Sequence, residues 1–367
     1  MFIYIKLSMT SIDGVKVRQI VEGKTKLFVP DVKGHPSKGK VFFNPAMRLN
    51  RDITVSLFSV KRVSEFLDAF SATGAKGIRV MNEAGIDVVF NDISPLAVKF
   101  IKRNLKLNGL DARVENKDAN ILMREERFSA IDIDPFGSVS RFMDSAAASV
   151  KNKGIICLTD TDTSALAGSY PTSAIRKYTA VVGRTSFMHE LGIRALIGFA
   201  IREASKYDIE LRPVFVHSTL HYYRVFLEAR SGRKRASDAV RSLRWIVYDR
   251  KSEDRWYSQF PDPSFENFGP VWAGKLFDED LVKKMKGVSD ASKALIELAK
   301  KEAGFELPYI DYHILASKHK LPLLKMNKLI DVLTANGISV SRTHFCSHCF
   351  KANAQPSEIA PLLKSYN

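Results

Sequence analysis

The chain has 367 residues, of which 45% are hydrophobic and 10% aromatic, enough for two cored domains and against intrinsic disorder. Its 56 Lys and Arg outnumber 40 Asp and Glu, a formal charge of +16 that favours a polyanionic partner such as nucleic acid. Three cysteines, Cys157, Cys346 and Cys349, make no disulfide framework and fit a reducing, cytoplasmic compartment, and no apolar run is long enough to cross a bilayer.

Met1 to Leu7 is apolar but short, is interrupted by Lys6 and lacks a following cleavage pattern, so it does not read as a signal peptide; Met9 is a second candidate start. Residues 16–60 read as short strands around a Gly/Pro/Lys-rich turn at 32–40, followed by Phe42-Phe43-Asn44-Pro45 and a helix over about 49–60. From Glu65 onward strands and helices alternate. Strands are expected at 66–70, 88–90, 113–115, 130–133 and 154–159, with helices at 94–108 and 138–151. That alternation predicts a doubly wound α/β sheet, with ligands at the carboxyl ends of its strands. A long helix over 185–207 and paired strands over 209–230 follow. Residues 231–256 are rich in arginine and are expected to reach solvent. The cluster of Pro, Asp, Ser and Asn at 261–270 suggests a boundary between residues 1–262 and an accessory domain at 263–367. Helices over 278–303, 309–319 and 322–336, then a strand at 338–340, make that second domain a smaller α+β, winged-helix-like module.

Two strand ends carry chemistry. The first is Asp68-Ala-Phe-Ser-Ala-Thr-Gly74-Ala-Lys-Gly77, where small residues let backbone approach a ligand. Asp92 ends the next strand, where a carboxylate holds a ribose hydroxyl pair. Asp68 would repel a pyrophosphate but suits a cationic cofactor, and Ala72 stands where a dinucleotide loop has its first glycine. These residues favour S-adenosylmethionine (SAM) over NAD. Asp118 and Ala119 follow the third strand, where an acid accepts the adenine amino group or is simply solvated.

The second strand end is Ile131-Asp132-Ile133-Asp134-Pro135-Phe136-Gly137. Alternation puts Ile131 and Ile133 on one face and Asp132 and Asp134 on the other. Pro135 has no N–H and a fixed φ, so a neighbouring carbonyl is free to face a ligand, and Phe136 offers a flat ring. An exocyclic base amine is a poor nucleophile, because its lone pair is delocalised. A carboxylate and a carbonyl accepting its N–H groups activate it, and a stacked aromatic fixes its approach to a methyl donor.

With these motifs the chain resembles the tRNA (guanine-26, N2)-dimethyltransferases, closest to the archaeal form. Further carriers are Leu49-Asn50-Arg51-Asp52, Asn91-Asp92-Ile93-Ser94, Asp118-Ala119-Asn120, His189-Glu190-Leu-Gly192, Gly269-Pro-Val-Trp272 and Arg342-Thr-His-Phe345. The resemblance implies a class I SAM-methyltransferase sheet followed by a C-terminal domain that helps hold tRNA. It implies cofactor contacts from Arg51, Asp92, Asp118, Ala119 and Lys76, beside Asp68 and Gly74 of the first loop. Lys76 stands where the family usually has arginine. The resemblance also implies a catalytic Asp134 followed by Pro135, with Phe136 and one of Phe42 and Phe43 around the guanine.

No metal is expected: Cys346-Ser-His-Cys349 lacks a second cysteine pair, and the four-cysteine cluster of some relatives has no counterpart. Lys99, Lys102, Arg103 and Lys106 share a helix face, which reads first as solvated. Arg233-Lys234-Arg235, the arginines through Arg255, and Lys318, Lys320, Lys325 and Lys328 are better RNA-backbone candidates. Alternatives are a DNA amino-methyltransferase and a non-catalytic binding protein on the same scaffold.

Overall fold

The computed structural model describes residues 10–32 and 39–364. The expectations for Met1–Leu7, Met9 and most of the turn at 32–40 lie outside the described residues. Two compact units account for the chain. One holds residues up to Pro135, with Arg141–Thr159 and Lys284–Ile296; the other holds Phe136–Ser140, Asp160–Lys283 and the chain from Glu297 on.

The first unit opens with an antiparallel sheet of β1 (Thr10–Ile12), β2 (Val15–Glu22) and β3 (Thr25–Pro30). The repeat that follows is β4 (Phe66–Asp68), β5 (Val88–Asn91), β6 (Val114–Glu115), β7 (Phe128–Ile133) and β8 (Val150–Asp160). These strands lie in the order β6-β5-β4-β7-β8, every neighbouring pair parallel. The chain therefore starts mid-sheet, runs outward to β6, and returns past β4 to β7. The reversal falls between β4 and β7, the switch point where open parallel sheets bind ligands. Helices Pro95–Leu107, Ala119–Glu125 and Met143–Ser149 connect the strands. Ser94 caps the first through the Ala97 N–H and Asp118 caps the second through the Asn120 N–H.

The sequence placed these elements well, with corrections at their ends. The first strand stops at Asp68, and β8 begins at Val150, where the helix was expected to continue. The helix expected over 278–303 is two, Glu279–Lys284 and Asp290–Glu302. Ser289 starts the second: its hydroxyl accepts the Ser292 N–H at 3.2 Å and donates to Asp52 at 2.6 Å. Gly77, expected to make room for a ligand, makes room for packing instead, since a Cβ there would sit 2.4 Å from the Phe90 ring.

The second unit contains helix Met188–Ser205 and the antiparallel hairpin of β9 (Ile209–Thr219) and β10 (Tyr222–Ser231). A small antiparallel sheet follows, with β11 (Arg244–Tyr248) between β12 (Arg255–Ser258) and β13 (Glu266–Val271). The chain ends in helices Tyr312–His319, Met326–Ala335 and Pro356–Lys364 with a sheet in the order β14-β16-β15. These strands are β14 (Ile310–Asp311), β15 (Val340–Arg342) and β16 (Cys349–Ala352). Leu315, Leu329, Leu333, Phe350 and Ile359 form a separate core for this C-terminal portion.

Buried charge ties the first unit together. Arg51 donates to both oxygens of Glu22 at 2.6 and 2.7 Å. Arg79, fully buried, donates to Glu22 at 3.0 Å, Asp52 at 2.5 Å and Glu83 at 2.8 Å. Burial alone would push the Glu22 carboxyl up; the two guanidiniums outweigh it and hold it below the usual carboxylate range. Glu22→Gln leaves these guanidiniums without the charge they share. It is expected to cost about 3–5 kcal/mol of unfolding free energy, read as a lower urea midpoint at unchanged slope.

Candidate active site

Parallel pairing sets Asp68 beside Asp132 in register, so the ends of β4 and β7 bring acids together. Asp132 is fully buried and Asp134, two residues on, has a side chain 21% exposed. The expected alternation holds: one ammonium, Lys76 Nζ, reaches both, donating to Asp132 and to Asp134 at 2.5 Å. Lys76, expected at the cofactor, is bonded in this structure to Asp132 and Asp134. The lysine comes from helix Ala75–Arg79. Its carboxylate partners make it a clamp that fixes the Asp134 rotamer at the sheet edge.

Asp68 is buried and accepts the Gly77 N–H at 3.1 Å. Burial pushes its carboxyl up to about 7; Lys76 opposes this and the neighbouring Asp132 and Asp134 add to it.

The loop between Asp68 and Lys76 is tightly bonded. Gly74 sits at φ 77° and Ala72 at φ 48°, two left-handed positions that let the chain leave β4 and start a helix within a few residues. Gly74 N–H donates to Ser71 O at 2.7 Å, and Asn104 donates to Thr73 O at 2.9 Å. Asp92 reaches into this loop: its carboxylate accepts the Ala72 N–H at 2.8 Å and the Ser94 N–H at 2.9 Å. Burial raises the Asp92 carboxyl, against those two backbone bonds. A carboxylate has lone pairs left after two such bonds, so Asp92 can still accept from hydroxyls. Asp118 accepts the Asn120 N–H at 2.7 Å as a helix cap, and Ala119 is buried behind it.

Arg51 does not face an open edge. Besides Glu22, it donates to Asn44 O at 3.3 Å and lies 5.1 Å from the Phe43 ring centre. It therefore shapes the Phe42–Pro45 run. Phe43 is 9% exposed under this guanidinium, whereas Phe42 is half-buried. Pro135 is buried, and Phe136, the next residue, is 76% exposed.

Ile93 was not singled out from sequence, yet it is 70% exposed directly after Asp92. Its signal was present: an isoleucine inside an otherwise polar Asn-Asp-Ile-Ser turn. Glu22 and Arg79 were missed too, because a buried ion cluster has no sequence period.

Glu190 is fully buried on helix Met188–Ser205, paired with Arg194 at 2.8 Å and Lys351 at 2.7 Å, and accepts the Tyr309 N–H at 2.9 Å. It is a packing anchor. Arg255, grouped with RNA-facing arginines, is 1% exposed and donates to Tyr309 O at 2.7 Å. Lys318 is tied to Glu253. Arg233, Lys234 and Arg235 are exposed, as expected. Lys99, Lys102, Arg103 and Lys106, read as a plain solvated face, line a hollow of about 610 Å³ with Phe28 and Ile12.

The family described as TRM, N2,N2-dimethylguanosine tRNA methyltransferase, matches residues 20–364. A tRNA (guanine(26)-N(2))-dimethyltransferase of Methanococcus maripaludis is 37% identical, covering 95% of this chain and 98% of the relative. The protein of the same name from Metallosphaera sedula is 36% identical over 95% of this chain and 97% of its own length. The structure of Trm1 from Pyrococcus horikoshii with S-adenosyl-L-methionine superposes with a TM-score of 0.87 at 32% identity, covering 94% of this chain and 99% of that one. With Asp134, Pro135 and Phe136 closing β7 beside an acidic strand edge, and this likeness running nearly end to end, the chain belongs to the N2,N2-dimethylguanosine tRNA methyltransferase family.

Proposed function

We propose that this chain transfers methyl groups from SAM to the exocyclic N2 of a guanine in tRNA, position 26 by relationship. The products are N2-methyl- and N2,N2-dimethylguanosine. The observation that carries the reading is the end of β7: a half-buried Asp134 held by Lys76, followed at once by an exposed Phe136.

The strand edge fits SAM. Asp68, Asp92 and Asp118 end or follow β4, β5 and β6, and the nearby ammonium of Lys76 is already matched by two carboxylates. Such an edge suits a cationic ligand without phosphate. Asn120 Oδ1 is buried without a hydrogen-bond partner, an acceptor left over beside Asp118 and Ala119. Asp92 would take the ribose hydroxyls, Asp118 the adenine amino group and Ile93 the flat face of the ring. Asp68 and the backbone from Ala72 to Gly74 would hold the amino acid end. Arg51 acts one step back, by holding the Phe42–Pro45 run. Bound SAM supplies an electrophilic methyl on a sulfonium.

Asp134 then does the protein's part. Its carboxylate accepts an N–H of the guanine amine, pulls nitrogen lone-pair density out of the ring and takes the proton as the N–C bond forms. A carbonyl beside Pro135 accepts the second N–H. Phe136 and Phe42 are the stacking rings that keep the base in line. Lys76 keeps Asp134 aimed.

The tRNA backbone would lie on the exposed Arg233-Lys234-Arg235 and on the Lys99–Lys106 hollow, with residues 263–367 as the accessory part that grips it. Among the described residues no helix is long and apolar enough to cross a membrane, and a cytoplasmic location fits a tRNA-modifying enzyme.

Incubation with methyl-labelled SAM and an unmodified tRNA transcript, beside duplex DNA, should put label only in N2-methylated guanosines. Asp134→Ala should lower turnover about 100- to 10,000-fold while SAM binding persists. Label in DNA bases, or none with wild-type protein that binds SAM, would overturn the proposal.

Asp68 also gives the protein a pH signature. Its folded-state pKa, about 7, lies above the ordinary 3.8, so its neutral form is the one the fold favours. That contribution is complete below pH 3.8 and disappears as pH rises through about 7. Urea midpoints of cofactor-free protein should show this decline between those limits, and Asp68→Asn should flatten it.

A further inference from the structure

The C-terminal sheet brings Asp311 to the Cys346-Ser-His-Cys349 turn. Cys346 and Cys349 flank a tight turn closed by the Cys349 N–H on Cys346 O at 3.4 Å. Their Cα atoms are 5.2 Å apart and their sulfurs face each other, joined as a disulfide in this structure. His348 lies between them, and its Nε2 is 3.3 Å from Asp311 Oδ2. One donor atom from each of Asp311, Cys346, His348 and Cys349 falls within 4.8 Å of all the others.

The fold holds this arrangement from both sides. Asp311 on β14 is the register partner of Cys349 on β16, and the Tyr312 N–H donates to His348 O at 3.1 Å. The His313 ring stacks on His348 at 4.4 Å and 8°, which fixes the imidazole plane. Cys349 is buried and the other three are half-buried, so the cluster is shielded but reachable.

We propose that the reduced cysteines, His348 and Asp311 form a structural zinc site that clips β14 to the turn before β16. Metal–ligand distances of about 2.0–2.3 Å in a tetrahedral site set donor separations of roughly 3.3–3.8 Å, a spread this cluster meets with small side-chain shifts. Two thiolates and an imidazole select zinc over magnesium or calcium, and the carboxylate completes the four ligands that a closed structural site needs. Disulfide and metal are alternative states of the same sulfurs. Two electrons and two protons from a thiol reductant open the S–S bond to two thiols, and the metal then displaces the two thiol protons.

The test uses the full chain, reduced with a phosphine, stripped with a chelator and titrated with Zn2+ against a chelating dye, and separately with Co2+. One equivalent bound per chain, with the visible spectrum of a tetrahedral cobalt–thiolate site, is the expected result. Cys346→Ser with Cys349→Ser should abolish binding. Asp311→Asn and His348→Gln should each weaken it about tenfold or more. SAM binding and circular dichroism of each variant report whether it is folded. Reduced, folded wild type that takes up no metal would overturn the site, and unchanged affinity in Asp311→Asn would overturn its ligand set.

Discussion

The first unit depends on the clamp of Lys76 across Asp132 and Asp134. Parallel pairing of β4 with β7 forces Asp68 and Asp132 side by side, and alternation along β7 sends Asp134 to the same face. Three carboxylates so close, two of them buried, would repel one another. A single ammonium, delivered by the helix that begins directly after the Gly74 turn, makes the arrangement tenable. Asp68 keeps a carboxyl displaced to about 7, raised chiefly by burial, with Lys76 opposing and the neighbouring Asp132 and Asp134 adding to it. The same clamp holds Asp134 in place at the sheet edge.

A second charge cluster supports the first. Glu22 on β2 collects Arg51 and Arg79, and Arg79 passes on to Asp52 and Glu83. Arg51 is thereby fixed under Asn44 and against Phe43. The Phe42–Pro45 run is thus held by a guanidinium that is itself held by a buried carboxylate on another sheet.

In the second unit the organising group is Glu190. Its carboxylate binds Arg194 on its own helix, the Lys351 ammonium of β16 and the Tyr309 N–H before β14. Burial opposes the charged form, and the two cations prevail, holding its carboxyl below the usual range. The helix that follows the parallel repeat is therefore bonded to the C-terminal sheet through charges with no route to solvent. Trp272 adds a neighbouring tie, since Arg194 donates to its carbonyl at 2.9 Å.

The sequence by itself determined the strand–helix alternation, the acids at the ends of β4 and β5, and the Asp-Pro-Phe-Gly exit from β7. These are local: hydrophobic period, turn chemistry and residue order along one segment decide them. It did not contain the partners. That Lys76 belongs to Asp134, that Arg51 belongs to Glu22, and that Gly77 makes room for Phe90 follow from which strands are neighbours, and strand order is not a property of any window. The break at Ser289 is likewise a tertiary choice, set by its bond to Asp52. Asp311 is the plainest case. It stands 35 residues before Cys346 in the chain and has no motif of its own. Only the pairing of β14 with β16 puts its carboxylate beside two sulfurs and an imidazole, because register across a sheet is fixed by the packing of both its faces.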